Sequence, residues 1–126
     1  MFKALLVAEV SEPIEELSSK LAQQGFTCSM AGASEGVIEE IATSTPDLAL
    51  IALENSSAGS EVWDMLRRFR QVRGLPLMAL ISRETLVSLQ TSLDVDDFVL
   101  EPWDALEVAV RAKQVFWRMK HIDTEG

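Results

Sequence analysis

The side chains able to do chemistry in this 126-residue chain are few, and most of them are acidic. Glu9, Glu54 and Glu101 each stand just beyond a short apolar run. Three carboxylates brought together would offer the oxygen-only ligand set that suits magnesium or calcium. The same acids left in water make an ordinary solvated rim, which is the simpler reading, because spacing alone does not build a cation site. Glu9 and Glu101 could exchange a proton as a pair, yet no nucleophile, oxyanion donor or substrate-binding motif accompanies them, so no enzyme is expected. Ser56, Ser57 and Gly59 form a cluster without the spacing of a phosphate cradle and read as an ordinary loop. Cys28, the single cysteine, lies inside an apolar run and reads as a small buried hydrophobe rather than a reactive thiol. His121 is the only histidine, so zinc-type spacing is absent and no metal or cofactor is expected.

These residues take their places from the elements around them. Apolar residues make up 48% and charged residues 25% of the chain, the profile of one soluble globular domain. A net charge of −9 would repel a phosphate backbone, and the cations gather at Arg67 to Arg73 and Arg111 to Lys120, so direct nucleic-acid binding is not expected. No targeting or membrane-spanning segment is read, and a reducing cytoplasm is the expected location.

Strand-length apolar runs recur at Phe2 to Ala8, Phe26 to Met30, Leu48 to Leu53, Pro76 to Ile81 and Asp97 to Leu100. Helical periodicity fills the gaps. Ser11 and Pro13 start a first helix that buries Ile14, Leu17 and Leu21 and ends at Gly25. Ser34 caps a second, carrying Val37, Ile38 and Ile41 and stopped by Thr45-Pro46. Ser60 caps a third, with Val62, Leu66 and Phe69 inward, Arg67, Arg68 and Arg70 in water, and Gly74 at its close. The fourth, Glu84 to Leu93, has a thin apolar face of Leu86, Leu89 and Leu93. The fifth, Trp103 to Lys120, ends in a cationic turn that complements its dipole. Residues 121–126 read as a polar tail or the start of a linker after a single domain at 1–120.

Five strands alternating with five helices imply an α/β fold with a parallel sheet covered on both faces. Reactive groups in such folds gather at the carboxyl ends of the strands, here Ala8, Glu9, Ala52, Glu54, Ile81, Ser82 and Glu101.

At those ends the sequence resembles the receiver domain of bacterial response regulators, over essentially the whole chain. KALLVAE at Lys3 to Glu9 resembles the strand ending in the family's acidic pair. PDLALIAL at Pro46 to Leu53 resembles the strand of the phospho-accepting aspartate, followed at the expected distance by LRRFR at Leu66 to Arg70. DDFVLEPWD at Asp96 to Asp104 resembles the fifth-strand motif. The resemblance implies the flavodoxin-like (CheY-like) strand order 2-1-3-4-5.

It also implies that the phosphorylation chemistry is gone. The magnesium-binding acidic pair becomes Ala8 and Glu9, and the phospho-acceptor becomes Ala52, whose methyl group cannot attack a phosphoryl donor. The fourth-strand hydroxyl becomes Ile81, with Ser82 next to it, and the lysine before the proline becomes Glu101. Losing the lysine together with the aspartate avoids leaving an unpaired, partly buried ammonium, which would cost roughly 3 to 5 kcal/mol. Glu101 is expected to project toward Glu9, so that their like charges need solvent, a shared proton or a cation.

In the fifth helix Leu106, Ala109, Val110 and Trp117 read as the sheet-facing line. Val108, Ala112, Val115 and Met119 then form a second line that needs cover, unless one wide inward face holds both. The family's dimerisation face is built from the fourth helix, fifth strand and fifth helix. The acidic pair and arginine of its winged-helix transcription-factor branch are matched by Asp96, Asp97, Glu107 and Arg111. An Arg111 contact to the acidic pair is expected, across an interface or within one subunit. Phe98 replaces the family's switch aromatic and is expected to be buried in a fixed rotamer.

The reading that follows is a degenerate receiver, a pseudo-receiver, that signals without phosphotransfer through a protein partner or a homodimer. It would be the regulatory half of a longer protein with a DNA-binding output domain. The sequence also admits two alternatives: a small-molecule or divalent-cation sensor using the acidic crevice, and a receiver phosphorylated on Ser82 or Glu9.

Overall fold

The computed structural model describes residues 2–32, 36–52, 64, 67, 68, 70, 71, 74–89 and 95–125. Five strands, Phe2–Val7 (β1), Phe26–Ala31 (β2), Leu48–Ala52 (β3), Leu77–Ile81 (β4) and Asp97–Leu100 (β5), form one parallel sheet in the order β2-β1-β3-β4-β5. Order and class are those expected from the sequence. Four helices have described bounds: Glu12–Gln23 (α1), Gly36–Ser44 (α2), Arg83–Leu89 (α3) and Ala105–Glu125 (α4). Asp64, Arg67, Arg68, Arg70 and Gln71 are helical too, where the third helix was expected. The fourth and fifth helices of the sequence reading are therefore α3 and α4.

Strand composition explains the order. In β3 and β4 the runs LALI and LMALI are buried without a break, as are Ala4 to Val7 of β1, because central strands of a doubly covered sheet meet a helix on each side. The edge strands β2 and β5 are more polar and more open. Alternate side chains divide into two layers. Ala4, Leu6, Leu48, Leu50, Met78, Leu80 and Val99 pack with α1 and α4, while Leu5, Val7, Ala49, Ile51 and Leu77 pack with Val37 and Ile41 of α2.

Local signals hold where they are described. Ile14, Leu17 and Leu21 are the buried face of α1, Pro13 lies in its first turn, and Gly25 follows it with φ 90°. Gly74 (φ 68°) donates its N–H to the Arg70 carbonyl at 3.1 Å and closes the third helical segment. Ser34, Ser60, Val62, Leu66, Phe69 and Leu93 lie outside the described residues.

Three expectations are corrected. The last helix starts at Ala105 rather than Trp103 and continues past Lys120 to Glu125. No glycine or proline interrupts the chain before Gly126, and the cations at Arg118 and Lys120 fall short of the last turn. The two lines of that helix are reversed. Val108, Ala112 and Val115 are buried and Met119 packs against them, whereas Leu106, Val110 and Trp117 are 57%, 50% and 62% exposed. Ala109 alone of the first line is buried, since Ala105, Val108, Ala109, Ala112 and Val115 share one arc at 3.6 residues per turn. Phe98 is exposed rather than buried, because β5 is the edge strand and Phe98 stands on the face opposite buried Val99.

Candidate functional site

The carboxyl ends of β1, β3, β4 and β5 meet at one edge of the sheet, and apolar groups line it. Ala8 follows β1 and is buried, its N–H donating to the Ala31 carbonyl at 3.0 Å. Ala52 ends β3 and packs, half-buried, against the layer beneath α1 and α4. Ile81 ends β4 and is fully buried. Its carbonyl accepts the Glu101 N–H at 2.9 Å and the Trp103 indole Nε1–H at 3.3 Å. Trp103 packs against the same layer and leans over this strand end, a contact that sequence reasoning missed although the residue lies only two positions past Glu101. At these strand ends the chain presents the methyl groups of Ala8 and Ala52, the aliphatic chain of Ile81 and the indole of Trp103.

The polar groups nearby are turned to other work or to water. The Ser82 Oγ lies 3.1 Å from the Thr85 N–H and 3.0 Å from the Thr85 Oγ1, capping the first turn of α3, and Thr85 is buried. Glu9 and Glu101 are both exposed, so their charges face solvent. Glu54, Ser56, Ser57 and Gly59 lie outside the described residues. Among the described residues no three His, Cys, Asp or Glu side chains converge as a metal site. A shallow cleft lined by Ile41, Thr45, Pro46, Asp47, Gly74, Leu75 and Pro76 opens at the other pole of the sheet, where β3 and β4 begin.

The acidic pair at the start of β5, Asp96 and Asp97, divides its work. Arg111 reaches Asp97 at 3.3 Å and Glu107 at 3.2 Å within the same chain. Partial burial opposes its charge, but the Glu107 hydrogen bond and the Asp97 carboxylate outweigh that and raise the guanidinium above its ordinary pKa. Asp96 does not meet Arg111. Its carboxylate takes a two-pronged contact from Arg70, Nε to Oδ2 and Nη2 to Oδ1 at 3.1 Å each, and accepts the Leu77 N–H at 2.8 Å. Arg118 donates to the Asp96 carbonyl at 3.3 Å. Arg70 was expected in water, and Asp96 was assigned to an interface. Both are half-buried at a junction joining the third helical segment, β4, β5 and α4.

Cys28 is half-buried in β2 against the α1 and α4 layer, and burial pushes its thiol pKa up while the Ser18 hydrogen bond opposes the shift. Its alkylation should therefore rise only above the pH range of a free cysteine, measured as rate against pH on the folded protein. The linked effect on stability has a definite sign. As pH rises past the ordinary thiol pKa the unfolded chain releases this proton first, so the folded state loses stability from there upward.

No protein-family model matches the chain. It is 28% identical over 123 residues to the sensory transduction protein BceR of Halalkalibacterium halodurans, covering 96% of this chain and 52% of that protein. It is 25% identical over 116 residues to the TorCAD operon transcriptional regulatory protein TorR of Escherichia coli, covering 90% and 50%. The chain thus spans about half the length of the curated relatives it matches. Among solved structures, the receiver domain of TorR superimposes with a TM-score of 0.71 at 24% identity, over 94% of this chain and 98% of that one. A receiver-modulated diguanylate cyclase from Pelobacter carbinolicus gives 0.74 at 16% identity, over 98% and 99%. The fold is that of response-regulator receiver domains.

Proposed function

We propose that this chain is a receiver domain of a two-component regulator that transmits its signal without accepting a phosphoryl group. The observation carrying this reading is the set of residues at the strand ends. Ala8, Ala52 and Ile81 present no oxygen to a phosphoryl donor, and Glu101 places an anion where a cation would balance transferred charge. A receiver fold stripped of that chemistry retains its surfaces, and protein–protein contact is what remains for it to do.

The surface that suits a partner runs across α3, β5 and α4. Leu86, Val87 and Phe98 are exposed there, beside the Asp97, Arg111 and Glu107 ion pairs. Some relatives, about twice this length, carry names of transcriptional regulators, which supports an output segment that acts in transcription beyond the matched half. Among the described residues no helix is long and apolar enough to cross a membrane.

The test is an amide NMR spectrum recorded before and after adding acetyl phosphate with magnesium. Unchanged resonances around Ala8, Ala52 and Ile81 are expected. Shifts that disappear in Ser82→Ala or Glu9→Gln would mean that the phosphoryl group is taken on another residue.

A further inference from the structure

The two edges of the sheet are guarded unequally, and we infer that β2, the unguarded one, pairs in antiparallel register with β2 of a second copy of this chain. An edge strand exposes a row of unpaired backbone donors and acceptors, which natural sheets protect with charges, proline or brevity. β5 has such protection. It is four residues long, Asp96, Asp97 and Glu101 stand in or beside it, and Arg111 and Arg118 are drawn against its start. β2 spans six residues and pairs with β1 alone. It lies within a run from Leu21 to Ser34 that holds no charge and no proline, in a chain that is 25% charged.

The ladder fixes which groups point outward. Phe2 donates its N–H to the Gly25 carbonyl and Ala8 donates to the Ala31 carbonyl, both at 3.0 Å, so Thr27 and Ser29 between them also turn their backbone toward β1. Phe26, Cys28 and Met30 turn theirs away from it. A two-fold axis at Cys28, perpendicular to the sheet, sets Cys28 against Cys28 of the second copy and Phe26 against its Met30. These are hydrogen-bonded pairs, each exchanging both bonds, and they make one continuous sheet of the two copies. Side chains suit the approach. Those of Phe26, Cys28 and Met30 belong to the α1 and α4 layer, Thr27 and Ser29 on the other face are small, and the α1 residue bonded to Cys28 is the small Ser18.

The charges favour a second copy as the occupant. At a net charge of −9 two copies repel, so they meet where neither is charged, and this strand offers that meeting with its own counterpart. A basic partner would gain no ion pair here and would be drawn to the acids elsewhere on the surface. Six residues of pairing set against that repulsion make a weak dimer, which forms at raised concentration and tightens as salt screens the charges. The α3, β5 and α4 surface, with Leu86, Val87 and Phe98, stays open for the partner proposed above.

Sedimentation equilibrium over a concentration series, at low and at raised salt, tests the pairing on the wild type and four variants, with circular dichroism confirming that each is folded. The wild type should show a concentration-dependent dimer that tightens with salt. Cys28→Pro removes an outward N–H while sparing the β1 ladder, and it should abolish the dimer. Thr27→Glu, at an exposed side chain, should weaken it by about tenfold or more, because the two-fold repeats the new charge. Adding Ser29→Lys, which stands opposite Thr27 of the second copy, should restore it. Leu106→Glu on α4 should leave it in place. Should Cys28→Pro fail to fold, the Thr27 and Ser29 variants decide. A wild type monomeric at all concentrations overturns the inference. So does a dimer that survives Thr27→Glu or is lost in Leu106→Glu, or a double variant that fails to rescue, since the copies then meet elsewhere or in another register. None of these results bears on the absence of phosphotransfer, which the amide spectra test separately.

Discussion

Val115→Asp should unfold the domain or cost it about 4 kcal/mol or more, because it puts a carboxylate into a fully packed layer with no partner to receive it. Val115 is 2% exposed and packs in one cluster with Leu48, Leu50 and Met78 of the sheet. Val110→Asp, five residues earlier on the same helix, should cost less than about 1 kcal/mol of monomer stability, because that side chain is half in water. Denaturant titration followed by circular dichroism gives both values. The contrast discriminates between the two lines of α4. If Val115→Asp stayed folded and merely lost self-association, the outward assignment of Val108, Ala112 and Val115 would stand, and the burial described here would be wrong.

Asp96→Ala should lower stability by about 2 to 4 kcal/mol. The substitution removes both contacts to Arg70 and leaves the Leu77 N–H, bonded at 2.8 Å, without its acceptor at the start of β4. Asp96→Asn keeps an oxygen for that N–H but loses the charge for Arg70, so about half of the loss should return. Arg111→Ala offers the control. Its pair with Glu107 is exposed and screened, its pair with Asp97 is only partly buried, and its removal leaves no backbone N–H without an acceptor, so stability should change by under about 1 kcal/mol. Equal losses for Asp96→Ala and Arg111→Ala would contradict the junction described for Asp96.

The reasons some of this was legible in the sequence, and some not, are physical. The sheet was legible because strands buried on both faces must be apolar without interruption, and LALI and LMALI can hardly be anything else in a chain punctuated by helices. Once the strands are placed, their carboxyl ends follow, and with them the places of Ala52, Ile81 and Glu101. The inward face of α4 was harder. Its apolar residues outnumber those of one stripe, so periodicity allows more than one orientation, and only the packing of Ala105, Val108, Ala109, Ala112 and Val115 together decides.

Arg70 and Asp96 illustrate a different limit. They are 26 residues apart, and an arginine in a run of cations looks solvated until the fold brings an acid to it. Arg111 and Asp97 were paired correctly from a family pattern, yet the pattern did not say that the pair closes within one chain, as it does here at 3.3 Å. Phe98 was assigned to the interior from its lack of a hydroxyl, whereas its place on an edge strand decides its exposure.

The most direct test of the central claim is the intact mass of the protein after incubation with acetyl phosphate and magnesium. If, as proposed, Ala52 stands at the acceptor position and Glu101 in place of a cation, the mass should stay that of the unmodified chain under conditions that phosphorylate a competent receiver run in parallel. A stoichiometric phosphoryl adduct on this chain would contradict the account.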